Sequence, residues 1–237
     1  MEPPKGFHFA DFLTQEKCQK VRDVLYSLKD QWILRAPKGV PFYTLGAAMY
    51  LDAPNEDFTA YHQIASEQNR LLLEHFGSLY DTLKKMITAY TGKPAELSLD
   101  QAIPGFHIFQ YHPYFQKPIA KIHFDTQYQK IPWRYREIDY SHPLSFTASI
   151  VLPAAGAGLF WWDLTMSQLE DLSEEERLAL REKAPVHYLP YEEGKILIHD
   201  GLTLHQIAPA EKMQPDDERI TLQGHALFCD GAWRLHW

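Results

Sequence analysis

His123 and Asp125 stand two residues apart in the stretch Lys121-Ile122-His123-Phe124-Asp125-Thr126. In an extended chain successive side chains point to opposite faces, so an imidazole and a carboxylate at this spacing share one face. A nitrogen and an oxygen donor side by side are two of the three ligands of a facial 2-His-1-carboxylate site for non-haem Fe(II). The chain holds 12 histidines, so one His-x-Asp alone is no more than chance supplies. A third donor and an anion-binding group must come from elsewhere in the chain.

The third donor is sought in Glu193 to Pro209. Lys195 to Ile198 has the pattern of a buried strand, Gly201 makes a turn, and His205 begins a returning strand. Flanked by Leu204 and Ile207, His205 must find a polar partner or a metal. His199, followed by Asp200 at the turn, is the alternative third ligand. Downstream come Glu218-Arg219-Ile220-Thr221-Leu222, where Arg219 and Thr221 share a strand face. An arginine aimed into a protein interior is costly unless a carboxylate meets its planar fork, and a hydroxyl two residues on adds a hydrogen bond to the same anion. The competing reading pairs Arg219 at the surface with Asp216, Asp217 or Glu218. His62 and His75 lie in a helical pattern with no ligand type at i+4 and are read as structural.

Elements that could position these groups follow from periodicity. Phe7 to Leu13 is extended, and Thr14 caps a helix over 15–29 with Cys18, Val21, Leu25 and Leu28 on one face. Trp32 to Leu34 and Ala47 to Leu51 read as short strands. From Phe58 to Tyr90 the pattern is helical, interrupted at Gly77 and stopped by Gly92 and Pro94, giving two supporting helices. After Leu97 strands dominate: Phe106–Tyr111, Ala120–Asp125, Ser145–Leu152, Leu159–Asp163, Lys195–His199 and Ile220–Phe228. Short strands between Pro and Gly turns indicate a sandwich or barrel. Ser173-Glu-Glu-Glu176 is a capping box that opens a helix within an insertion spanning about 166–183. Thr126 to Pro143 is a long loop after the His-x-Asp pair, carrying Tyr128, Trp133, Arg134, Tyr135, Arg136 and Tyr140. It is read either as a lid over a site or as a rim loop anchored by its aromatics. Of the adjacent Trp161 and Trp162, one must face inward.

The 237 residues suit a single domain, with 1–96 as a mainly helical support region and 97–237 as a β core. Net charge is −8 without a basic run, which argues against nucleic acid as the partner. No apolar leader occupies Met1 to Gly6 and no stretch is long enough to span a membrane. The two cysteines, Cys18 and Cys229, form no Cys-x-x-Cys pair. The expectation is a cytoplasmic protein in a reducing compartment.

The order His123-Phe-Asp125, His205, Arg219-Ile-Thr221 resembles the Fe(II)/2-oxoglutarate-dependent oxygenases, and within them the prolyl-hydroxylase-like branch. Phe109-Gln-Tyr111, Ser145 to Leu152 with Gly156-Ala-Gly158, and Gly194-Lys-Ile-Leu-Ile198 support the likeness over about Phe106 to Leu227. The resemblance implies an α+β fold, mostly β: a double-stranded β-helix (a cupin-like jelly roll) packed against the N-terminal helices. It implies that His123, Asp125 and His205 bind Fe(II). Arg219 would hold the distal carboxylate of 2-oxoglutarate with Thr221 assisting, and Tyr111 would touch the same cosubstrate. O2 is the second cosubstrate and ascorbate a candidate reductant. The implied reaction is hydroxylation of an unactivated C–H with decarboxylation of 2-oxoglutarate to succinate and CO2. Asp125 favours hydroxylation over halogenation, whose enzymes carry Gly or Ala there. A small molecule, amino-acid-like or a natural product, is the expected substrate. A protein or peptide residue is the alternative, and a non-catalytic cupin-like binding module is the reading of a different class. The Gly156-Ala-Gly158 turn departs from the Gly-Gly common in these proteins.

Overall fold

The computed structural model describes residues 6–36, 39–53, 57–118 and 120–237. The first five residues lie outside them, so most of the N-terminal stretch read for a leader is not among the described residues. The chain opens with strand β1 (Phe7–Asp11) and helix α1 (Gln15–Ser27). Thr14 caps α1 by accepting from the Lys17 amide, and Cys18, Val21 and Leu25 form its buried stripe. Strands β2 (Ile33–Leu34) and β3 (Phe42–Leu45) follow, then a single helical turn α2 (Met49–Asp52). The strand expected over Ala47–Leu51 is therefore replaced by a turn of helix. Asp52 accounts for it: its carboxylate accepts from the Ala48 amide and takes both ends of the Arg35 guanidinium at 2.6 and 2.7 Å.

Helix α3 (Phe58–Thr91) consists of two helical stretches joined across a kink, in keeping with the two helices expected. The interruption read at Gly77 survives as a kink one residue earlier, at Phe76 (φ −124°, ψ 20°), whose buried ring packs against Phe106. Gly92 ends the helix in the left-handed conformation at φ 70°.

The remaining elements are β4 (Ala95–Leu97), β5 (Gly105–Gln110), β6 (Ile138–Val151), β7 (Leu159–Thr165), α4 (Met166–Leu169), α5 (Glu174–Lys183), β8 (Val186–Leu189), β9 (Lys195–His199), β10 (Thr203–Ile207), β11 (Glu218–Cys229) and β12 (Ala232–His236). The capping box at Ser173 and Glu176 starts α5 as read. Strand β6 begins at Ile138, so the loop after the His-x-Asp pair is shorter than expected.

Two sheets form the jelly roll. The large one runs β1-β9-β6-β11-β5-β3-β2, with β12 and β4 attached beside β11; the small one runs β10-β7-β8. Strands β1 and β3, from the first 96 residues, pair with β9 and β5. The outer face of the large sheet is the main core: Phe106, Ile108, Phe146, Ile196, Ile198, Ile220 and Leu222 pack against Leu25, Leu72, Leu83 and Ile87 of α1 and α3. Burying a face this apolar is what holds the helices on the sheet. The alternate residues, including Thr44, His107, Thr221, Ser149, Ser145 and His199, are polar yet buried and look toward the small sheet. A strand face that is polar and still dry is a place where ligands are held.

Candidate metal centre

His123 and His205 are 82 positions apart in sequence and directly opposite in space. The His123 amide donates to the His205 carbonyl and the His205 amide donates back, both at 3.0 Å. This reciprocal pair is an isolated antiparallel bridge on the free edge of β10. Residues that exchange both hydrogen bonds project their side chains to the same face, and the two imidazoles stand 4.5 Å apart. The strand expected over Ala120–Asp125 is thus reduced to one bridge in an extended segment. Its alternation nevertheless holds: Lys121, His123 and Asp125 line a cavity while Ile122 and Phe124 pack into an apolar cluster on the other side. The Asp125 amide donates to Gly201 at 2.8 Å, which holds the segment against the turn between β9 and β10.

Donor atoms of His123, Asp125 and His205 all lie within 4.8 Å of one another. His123 Nε2 is 3.5 Å from Asp125 Oδ1, and His205 Nε2 is 3.3 Å from Oδ2. Three ligands on one face of an octahedron, at bonds of about 2.1 Å, stand about 3 Å apart. The set therefore needs only slight adjustment to close on a divalent cation. Each imidazole is also held in the matching tautomer. His123 Nδ1 donates to the Lys121 carbonyl at 2.8 Å and His205 Nδ1 to the Thr203 carbonyl at 2.7 Å. Both Nε2 lone pairs are thereby turned inward, the arrangement that orients metal-binding histidines.

Burial pushes the Asp125 carboxyl up, but His205 and His123 beside it hold it well below the ordinary carboxylate range. Burial pushes His123 down, and its hydrogen bond to Asp125 more than reverses this. A divalent ion between these donors would displace any proton that His123 shares with Asp125. His199, the alternative third ligand, lies outside the triad. Its Nδ1 accepts from the Gly201 amide at 3.1 Å, and its ring sits edge-on to His205. Burial pushes it down to about 3, so it is neutral.

Arg219 is 3% exposed, and Nε, Nη1 and Nη2 have no hydrogen-bond acceptor among the described residues. The surface pairing considered for it does not form, since Glu218 is taken by Arg22 and Tyr26 at 2.5 Å. The guanidinium lies between the rings of Phe109 (5.4 Å) and Tyr191 (5.7 Å), both of which line the cavity that holds the triad. It borders a side space of about 20 Å³ that shares Phe109, Phe115 and Ile207 with that cavity. Burial lowers its pKa, yet arginine starts so high that it stays a cation. A buried cation with no counter-charge costs several kcal/mol, a cost that an anion beside it would remove. The residues present thus fit Fe(II) at one point and a carboxylate at another.

Thr221 is fully buried on the same face as Arg219, its Oγ1 accepting from Gln223 Nε2 at 3.2 Å. Tyr111 is partly buried among Phe109, Phe115 and Met213 and is not a lining residue; the tyrosine bordering both cavity and Arg219 is Tyr191. The cavity measures about 540 Å³. Of the loop after the His-x-Asp pair, only Gln127 lines it. Tyr128, Trp133 and Tyr135 instead pack under β11 with Leu227 and Cys229, as a rim loop anchored by its aromatics. Arg134 and Arg136 are not lining residues, and neither is Trp161 or Trp162; Trp162 is buried with Leu164 and Leu204. Arg35, Phe42, Tyr50, His107 and Trp237 also line the cavity, and sequence reasoning missed them. The one available signal was His107, two residues before Phe109 on a strand of alternating pattern. Its Nε2 meets the Tyr50 hydroxyl at 2.6 Å, and burial, with Arg219 and Arg35 nearby, holds it neutral.

No family model matches the chain, and no curated protein matches its sequence. Solved structures do match. An N-substituted L-amino acid dioxygenase from Burkholderia ambifaria AMMD, crystallised with alpha-ketoglutarate, superposes with a TM-score of 0.56 at 14% identity, over 98% of this chain and 86% of that one. The non-haem alpha-ketoglutarate-dependent carbocyclase SnoK from nogalamycin biosynthesis superposes at 0.56 and 13% identity, over 97% and 82%. The epimerase SnoN from the same biosynthesis superposes at 0.54 and 12%, over 97% and 81%. The chain has the jelly-roll fold of these non-haem alpha-ketoglutarate-dependent proteins across nearly its whole length. Within that fold it carries a His-Asp-His group suited to iron.

Proposed function

We propose that the protein is an Fe(II)- and 2-oxoglutarate-dependent dioxygenase that hydroxylates an unactivated C–H bond of a small molecule, amino-acid-like or a natural product. One observation carries the reading: a facial His123-Asp125-His205 set lines a cavity whose wall residues Phe109 and Tyr191 lie against a buried arginine that has no acceptor among the described residues. Fe(II) with 2-oxoglutarate and O2 supplies an oxidant able to take hydrogen from a C–H bond, the cosubstrate leaving as succinate and CO2.

The chain's own residues bind, orient and shield. His123, Asp125 and His205 would hold the metal through one donor atom each. Arg219 would receive the distal carboxylate through its planar fork, with Thr221 on the same strand face and the Phe109 and Tyr191 rings against the guanidinium excluding water. Asp125 keeps the carboxylate ligand that favours hydroxylation. Strands β1 and β3 are sheet neighbours of β9 and β5, which supports treating the chain as one oxygenase domain. The cavity volume lies within the range of small-molecule sites, and Phe42, Tyr50, Phe115 and Trp237 wall it. The three solved relatives act, by their descriptions, on an N-substituted amino acid and in nogalamycin biosynthesis, which also favours a small substrate over a peptide.

Anaerobically purified protein given Fe(II) and 2-oxoglutarate is expected to form succinate when O2 is admitted, faster with a substrate than without. No succinate under any condition, while a control oxygenase works, would leave the non-catalytic binding module as the better reading.

A further inference from the structure

Lys121 belongs to the same alternating face as His123 and Asp125, and all three line the cavity. Its carbonyl orients His123, while its side chain has no carboxylate partner among the described residues. Two residues of extended chain span about 6.6 Å, so its backbone stands one pleat repeat from that of His123, and its exposed side chain borders the cavity at the rim.

The charges around the cavity make this position informative. Arg35 is neutralised by Asp52, which meets it with both oxygens. If the proposed function holds, on which this inference rests, the distal carboxylate of 2-oxoglutarate neutralises Arg219. The divalent metal is likewise balanced by Asp125 and the other carboxylate of the cosubstrate. Burial holds His107, His199 and His225 neutral. Among the described lining residues one positive charge then has no counterpart, that of Lys121, in a chain whose overall charge is −8. A cation without a counter-charge at the mouth of a largely apolar cavity attracts a monoanion.

We propose that Lys121 is the anchor for a substrate carboxylate. The substrate is a monocarboxylic acid whose aromatic or apolar body lies against Phe42, Tyr50, Phe115 and Trp237. The anchor places a C–H a few bonds from the carboxylate over the metal. This makes Lys121 a specificity-determining residue that distinguishes an acid from its neutral isostere.

The test needs no turnover. Protein loaded with Co(II) and saturated with 2-oxoglutarate is titrated by calorimetry with phenylacetate, 3-phenylpropanoate and 4-phenylbutanoate, and with the three matching primary amides. At least one acid is expected to bind about tenfold or more tightly than its amide, about 1.4 kcal/mol. That advantage should fall to within about twofold in Lys121→Gln and return in part in Lys121→Arg. Co(II) affinity should stay the same in all three proteins, because the backbone carbonyl that orients His123 is untouched. Equal affinity of every acid and its amide would overturn the proposal, as would an acid preference that survives in Lys121→Gln. Failure of the oxygenase reading shows separately, as absence of succinate in the Fe(II) assay.

Discussion

Replacing Gly201 by alanine should damage the metal centre although Gly201 contributes no ligand. The residue has φ +71° and its carbonyl receives the Asp125 amide. A methyl group there would stand 2.8 Å from Asp125 Cβ and 2.7 Å from Ser145 Oγ, where ordinary contact begins at 3.4 Å. Restoring contact at Asp125 takes a shift of about 0.6 Å, the difference between 3.4 and 2.8 Å, whereas metal–ligand distances tolerate about 0.2 Å. Two costs are therefore combined: left-handed backbone for a residue with a Cβ, about 1–2 kcal/mol, and overpacking, about 1–3 kcal/mol. Gly92 separates them. It has φ +70° and nothing within 4 Å of its would-be Cβ, so Gly92→Ala carries the backbone cost alone. Urea unfolding of the metal-free proteins should show Gly201→Ala less stable than Gly92→Ala by the overpacking cost. Calorimetric titration with Co(II) should show Gly92→Ala at wild-type affinity and Gly201→Ala weaker by about 10–100-fold, the usual effect of losing an outer support. Wild-type metal affinity in Gly201→Ala, or a stability equal to that of Gly92→Ala, would refute the reasoning.

Arg219→Met should stabilise the metal-free, cosubstrate-free protein or leave it unchanged, since it removes a buried cation with no acceptor. The same change should abolish 2-oxoglutarate binding and spare Co(II) binding; a large loss of stability, or loss of both ligands together, would make Arg219 structural. Acid should weaken the fold partly through His236, which is 1% exposed, donates from Nδ1 to the Arg234 carbonyl and has Nε2 unpartnered. Burial, with His225 adding to it, pushes it from 6.5 down to about 3. Between those values the unfolded chain binds the proton and the folded one does not, so stability is complete above pH 6.5 and falls as pH drops toward 3. At about 1.4 kcal/mol per pH unit, the stability lost between pH 7 and pH 5 should be smaller in His236→Phe by about 2 kcal/mol. An unchanged pH dependence of the urea midpoint would count against this assignment.

Local rules carried the reading of the sequence a long way, because they act over two to four residues. The two-residue period that sets His123 and Asp125 on one face holds even though the expected strand is a single bridge. Thr14, the Ser173–Glu176 box and Gly92 mark helix ends as read, since capping is settled within a turn. Lys121 shares that face in the structure, but nothing in the sequence singled it out before a cavity was there to receive its charge. Interactions between distant residues overrode local pattern elsewhere. Ala47 to Leu51 has a strand-like composition, but Asp52 bonded to the Ala48 amide and Arg35 folds it into a turn of helix. The choice between His199 and His205 could not be made from spacing. It was made by the reciprocal backbone pair joining His123 to His205 across 82 positions. Nor could any local signal show that Arg219 is left without an acceptor while its neighbour Glu218 is taken by Arg22 and Tyr26. Residue type and short spacing determined which groups could bind a metal and an anion. The pairing of β10 with a distant edge segment, and the facing of the two sheets, decided which of them meet.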